Sequence, residues 1–172
     1  MKTAAVVLAI AGALVLQTTL SGLIVGSTVA VNLVLVAVVY LALAYGPVTG
    51  MLSGMIGGLA QDALAGGIVG VGGLTKTLIG FVVGVLSAQF NLTSTVPRLV
   101  IFAVATFVHQ LLFAGLQRIT GGPLMSLQFS RMLMQALMNA LIGVTAFFIV
   151  EQGPEILQRR RIRRASFARR RF

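Results

Sequence analysis

Residues 46–66 read Gly46-Pro-Val-Thr-Gly50-Met-Leu-Ser-Gly54-Met-Ile-Gly-Gly58-Leu-Ala-Gln-Asp62-Ala-Leu-Ala-Gly66, with a glycine or Asp62 at every fourth position. Four residues are slightly more than one helical turn, so these positions form a slowly drifting stripe on one face. The following apolar segment repeats the interval with Lys76, Gly80, Gly84 and Ala88. Small residues at this spacing let helix backbones approach closely in lipid, where packing rather than hydrophobicity drives association. The two segments therefore read as a tight helical hairpin, with the stripes as internal packing in the first instance and as a partner surface in the second. Asp62 and Lys76 flank the same glycine-dense connection, Gly66 to Gly73, and are placed to pair across the end of the hairpin. Such a charge pair reads first as structural and second as ligand-contacting.

The surrounding composition requires a membrane. Of 172 residues, 58% are hydrophobic and only 9% charged, with a mean hydropathy of +1.02. A soluble fold of this size has too much surface to hide so much apolar area. Continuous apolar runs fit helices spanning a hydrocarbon core of about 30 Å. They do not fit the alternating strands of a membrane barrel. The expected architecture is an all-α integral membrane protein, a compact bundle of six transmembrane helices over residues 1–152. The spans are placed at about 3–20, 29–44, 48–64, 74–90, 98–117 and 127–150. An arginine-rich cytoplasmic tail, 153–172, follows, with no soluble domain. Breaks fall at Ser21 to Thr28, Gly46-Pro47, Gly66 to Gly73, Asn91 to Pro97, Gly121-Gly122-Pro123 and Gly153-Pro154. Lys2 and the run Ala4 to Leu16 read first as part of an uncleaved first helix, about Thr3 to Leu20, and second as a cleaved signal peptide, for which no clear small-residue cleavage site follows at the right distance.

Most of the formal charge of +10 comes from the tail. Arg159, Arg160, Arg161, Arg163, Arg164, Arg169, Arg170 and Arg171 supply it, whereas the remainder sets five basic residues against three acidic ones. The body offers no basic face for nucleic acid. Cationic segments beside a span stay cytoplasmic, so both termini lie inside, Arg98 falls in an inner loop and Arg118 lies outside. The tail reads as an anchor on anionic lipid headgroups, compatible with docking of an acidic partner. Ile162, Phe167 and Phe172 give it only weak amphipathicity.

Arg131, Gln135, Asn139 and Gly143 place a polar stripe on the sixth span, facing protein or water. Interhelical hydrogen bonding is its simplest use. His109 and Gln110 on the fifth span read as hydrogen-bonded core residues. With one histidine, three acids and no cysteine, catalysis, a metal cluster and a cofactor have almost no material. The glycine-rich connection lacks the Gly-Lys-Ser/Thr ending of a phosphate loop. The residues lead to a protein that binds other proteins rather than to an enzyme.

The stretch Asn32-Leu-Val-Leu-Val-Ala-Val-Val-Tyr40, then Gly46-Pro47, then Gly58-Leu-Ala-Gln-Asp62-Ala-Leu-Ala-Gly66 with Gly70 beyond, resembles the rod shape-determining protein MreD family. The best-matching part is Val31 to about Leu86, and the layout agrees over most of the chain. Members often carry Pro-Asp where this chain has Val31-Asn32, and the tail is longer than the family pattern. The resemblance implies a non-enzymatic inner-membrane component of the cell-elongation machinery. Its partners would be MreC and, through it, the MreB filament, RodA and a class B penicillin-binding transpeptidase. It also implies a fold similar to the substrate-binding S-components of energy-coupling factor transporters. That supplies a second reading, capture of a vitamin or metal ion, with Ala5, Ala9 and Ala13 as the stripe meeting a transporter.

Overall fold

A computed structural model describes residues 2–23, 31–66, 68–90, 94–121 and 128–169, with side chains described within residues 3–20 and 31–150 of those segments. The described residues form six helices and no strand: α1 Lys2–Leu23, α2 Leu33–Tyr45, α3 Pro47–Ala65, α4 Val71–Gln89, α5 Thr95–Ile119 and α6 Phe129–Arg169. The start expected for the second span, the break at Asn91 and the turn at Gly122-Pro123 lie outside the described residues.

At the centre stands α2, which packs against all five other helices. Its sequence, Leu-Val-Leu-Val-Ala-Val-Val-Tyr-Leu-Ala-Leu-Ala-Tyr, is apolar on every side. A helix apolar all round needs apolar surroundings all round. Val34, Leu35, Val38 and Ala42 are completely enclosed. Thirteen residues rise only about 20 Å, so α2 is shorter than the hydrocarbon core. It ends at Gly46, whose φ of 89° suits only glycine, and Pro47 begins α3 in the next position. One residue thus separates two helices.

The α3–α4 hairpin is the most closely packed pair. A Cβ at Gly50 would strike the carbonyl of Gly80, and one at Gly54 would strike the carbonyl of Lys76. At Gly58 it would stand 2.5 Å from the Cα of Gly73, and at Gly84 it would meet Cα of Pro47. Each four-residue step along α3 meets a step of three or four residues back along α4. The two stripes face each other. The sequence led us to expect a connection running through Gly73, yet α4 already begins at Val71 and its first turn contains Gly72 and Gly73. Gly66 closes α3 in a left-handed conformation at φ 67°, and Gly70 precedes α4 at φ 110°.

The remaining helices wrap this core. α1 touches α2 and α3, with Ile10 buried against Val38 and Leu41 and most of its other side chains exposed. α5 and α6 pair antiparallel, with the ring of Phe102 filling the notch that Gly143 leaves in α6. One turn further along that pair Tyr40 meets Phe147 edge-on at 4.9 Å, and the Arg98 guanidinium lies 3.8 Å above the Phe147 ring. A cation over an aromatic face is attracted by its quadrupole. Beyond Val150 the backbone of α6 continues as helix through Gly153-Pro154 to Arg169. The sequence placed a break there.

Among the described residues four segments are long and apolar enough to cross a membrane: Thr3–Leu20, Val71–Gln89, Thr95–Ile119 and Phe129–Val150. The outer surface carries Leu8, Ile56, Val82, Val104, Leu141 and Phe148, all exposed, as lipid-facing helices must. This is an all-α membrane protein. Because the glycine faces meet backbone to backbone, Gly54→Ala or Gly58→Ala is expected to destabilise by about 1–3 kcal/mol, the usual cost of overpacking. Gly12→Ala, at a position with open space, should be neutral. Unfolding midpoints in detergent check both.

Candidate functional site

Enclosed polar side chains lie at the start of α2 (Asn32), in the last turn of α3 (Asp62), near the start of α4 (Lys76), in the middle of α5 (Thr106 and His109) and about three turns into α6 (Asn139). Asn32, Asp62, Lys76, Thr106, His109 and Asn139 are each at most 8% exposed.

Asp62 sits one turn before the end of α3 and reaches over the start of α4. Its Oδ2 accepts hydrogen bonds from the backbone N–H groups of Gly70 and Gly72, both at 2.9 Å, and of Gly73 at 3.1 Å. The first N–H groups of any helix lack internal partners, and the N-terminus carries partial positive charge. Gly70, in the capping position, has no side chain to serve them. Asp62 serves as the cap from the neighbouring helix. This explains why the glycines at 72 and 73 are helical: a carboxylate holds their amides, and any side chain at Gly72 would collide with it. The expected Asp62–Lys76 ion pair is absent among the described residues. Their charges act on each other electrostatically, but Oδ2 of the carboxylate is taken up by three amides.

Lys76 is 2% exposed, on the stripe that faces α3, and its charge is felt by both Asp62 and His109. Gly50, Gly54, Gly58, Gly80 and Gly84 form the hairpin contact itself. Gly66 stands apart, as a helix cap with open space around it.

The start of α2 is held inside the bundle by side chains from three helices. Asn32 Oδ1 accepts from the N–H of Leu35 at 3.0 Å, and Gln17 of α1 accepts from the N–H of Val34 at 3.2 Å. The N–H of Asn32 itself donates to Asn139 Oδ1 of α6 at 3.1 Å. Asn139 Nδ2 donates to Thr106 Oγ1 of α5 at 3.3 Å, and Thr106 passes its hydroxyl hydrogen to the Phe102 carbonyl. A helix that starts within a membrane must find such partners, because lipid offers none. Sequence reasoning noticed Asn139 but missed Gln17, Asn32 and Thr106. An Asn immediately before a long apolar run is a capping signal, and Asn32 was legible by that rule.

The sixth-span stripe does not stay on one face of the protein. Arg131 is exposed and donates to Gln128, Gln135 is half-buried, and Asn139 is fully enclosed. Gln110 donates to the Met132 carbonyl at 3.1 Å, tying α5 to α6. His109 is buried and stacks on Phe113 with ring centroids 5.9 Å apart, and neither ring nitrogen meets a hydrogen-bond partner among the described residues. The side chains of the tail arginines Arg159 to Arg164 and Arg169 to Arg171 lie outside the described ones.

A small helical membrane protein in which Asp62, Asn32 and Asn139 serve helix ends defines a structural class. The profile of the rod shape-determining protein MreD family matches residues 2–152. The chain belongs to that family, and is a rod shape-determining membrane protein. No curated relative and no solved structure matches it.

Removing the cap is expected to cost more than removing its charge. Asp62→Ala should lose about 2 kcal/mol, leaving amide donors unsatisfied. Asp62→Asn, which keeps an acceptor, should lose about half of that. Asn139→Leu should cost about 1–3 kcal/mol through the orphaned N–H of Asn32. Denaturant titration in detergent orders the three variants, and a harmless Asp62→Ala would contradict the cap.

Proposed function

We propose that the chain is a non-enzymatic scaffold subunit of the cell-elongation complex in the bacterial inner membrane. The observation that carries this reading is the use of the enclosed polar side chains. The Asp62 carboxylate is held by three amides, and Asn32, Asn139 and Thr106 hold one another and the start of α2. Those groups fix a shape, and a fixed shape is what a scaffold offers its partners. Membership of the MreD family supports the same setting.

In this reading all six helices form the transmembrane domain, 1–152, with α2 crossing inside a wall made by the other five. Both termini are cytoplasmic, and the cap at Asp62 faces outward. The partner is MreC, whose membrane helix lies against the lipid-facing surface. RodA and a class B penicillin-binding transpeptidase follow through the same assembly, which supports peptidoglycan synthesis, and the MreB filament is reached indirectly. The helical extension beyond Val150 carries the tail arginines to anionic lipid headgroups, each basic residue contributing about 1 kcal/mol near the surface.

A mild-detergent affinity pull-down of the tagged chain from its native membrane, read by mass spectrometry, tests the proposal. Recovery of MreC with cell-wall elongation enzymes is expected, together with its loss for Gly58→Ala and its retention for Gly12→Ala. Recovery of a transporter transmembrane subunit with its ATPases would overturn the scaffold in favour of an S-component.

A further inference from the structure

Residues 151–172 carry eight arginines, two acids and a single hydroxyl, that of Ser166. The backbone of α6 continues from the span through Gly153-Pro154 to Arg169, which sets Ser166 about 24 Å of helix past Val150. A proline preceded by glycine is where a helix bends most readily. A bend there lets the basic segment lie along the membrane surface.

Around Ser166 the chain reads Arg163-Arg164-Ala165-Ser166-Phe167-Ala168-Arg169. In the α6 register Arg163 stands three residues before the serine and Arg169 three after, one turn away on either side. The preceding arginines crowd one another, since 159 and 163, 160 and 164, and 161 and 164 are each three or four residues apart. Like charges at those spacings weaken a helix. Away from anionic lipid the segment therefore opens easily, and an extended chain is what the groove of a protein kinase accepts. The local pattern also selects the kind of kinase. Two arginines, one small spacer, the serine and then a phenylalanine offer two fixed charges and one apolar anchor to acidic substrate pockets. The nearest acid, Glu155, lies about three turns back.

We propose that Ser166, set between Arg163 and Arg169 on the extension of α6, is a phosphorylation site for an arginine-directed serine kinase, and that its modification releases the tail from anionic lipid. The proposal rests on the cytoplasmic, lipid-bound tail of the scaffold reading. Ser166 Oγ attacks the γ-phosphorus of ATP, its proton passes to the base of the kinase, and ADP leaves. The product is a phosphate monoester carrying nearly two negative charges. One turn from an arginine on either side, it converts a column of like charges into an alternating one. About two lipid-binding charges are cancelled, and arginines that pair with the phosphate are withdrawn from the headgroups.

The site is tested on the full-length protein purified from its native membrane in the presence of phosphatase inhibitors. Mass spectrometry should find one phosphoryl group at Ser166, absent from Ser166→Ala. In Arg163→Ala/Arg164→Ala its occupancy should fall about tenfold or more, through the loss of two charge-assisted contacts to the kinase. A wild-type protein without the group at any growth phase would overturn the site, and equal occupancy in the double variant would overturn its arginine-directed character.

Release is read separately in lipid nanodiscs. The chain has no cysteine, so Phe172→Cys accepts an environment-sensitive fluorophore beyond the last arginines. Before treatment, lipid-bound emission is expected in phosphatidylglycerol discs and not in phosphatidylcholine discs. Treatment with ATP and the catalytic subunit of the cyclic-AMP-dependent kinase should lower the bound-to-free ratio about thirtyfold, the effect of two charges. The same treatment should leave Ser166→Ala unchanged. A tail that stays bound once phosphorylated would overturn the release. A tail that ignores phosphatidylglycerol before treatment would overturn the lipid anchor and the release with it, while the mass spectra decide the phosphorylation site independently.

Discussion

The rest of the structure depends on one close approach, the backbone contact between α3 and α4. Gly50, Gly54 and Gly58 meet Gly80, Lys76 and Gly73 with no room for a side chain between them. In lipid such a contact has no hydrophobic driving force, so its stability comes from dispersion between closely fitted surfaces and from polar groups satisfied internally. Asp62 completes it by holding the first amides of α4 at the hairpin's end. The hairpin forms one wall against which the short α2 is enclosed.

That enclosure explains the distribution of polar residues. A thirteen-residue helix cannot reach both membrane surfaces, so its N-terminal amides open inside the protein. Gln17, Asn32 and Asn139 come from three different segments to meet them. Each of these bonds ties α2 to a neighbour and fixes where the neighbour sits. The interior is thereby specified by a few directional contacts, while the apolar remainder adapts around them. In the scaffold proposed above, rigidity of this kind is the useful property.

Much of this was legible from the sequence, and the failures have physical causes. Four-residue glycine spacing predicts the hairpin, and Gly46-Pro47 predicts the joint between α2 and α3, because both signals are local. The Asp62–Lys76 pair was misjudged because proximity in sequence says nothing about competition. Three backbone amides offered the carboxylate better geometry than one ammonium. The helical start at Val71 was hidden for the same reason: glycines read as flexible until a distant side chain stabilises their amides. Gly153-Pro154 reads as a stop, yet the backbone runs through it, since a proline weakens a helix without always ending it. The Asn32–Asn139–Thr106 chain joins residues far apart in sequence, and no local pattern displays such a pairing.

The central claim is that the α3–α4 contact, closed by Asp62, is the rigid frame of the molecule. Hydrogen exchange of the full-length protein in lipid nanodiscs, resolved at the Gly70, Gly72 and Gly73 amides, addresses it most directly. Slow exchange at all three, comparable to the middle of α2 and lost in Asp62→Ala, is the predicted result. Exchange as fast as that of the neighbouring Ile68 and Val69, unchanged by the substitution, would contradict it.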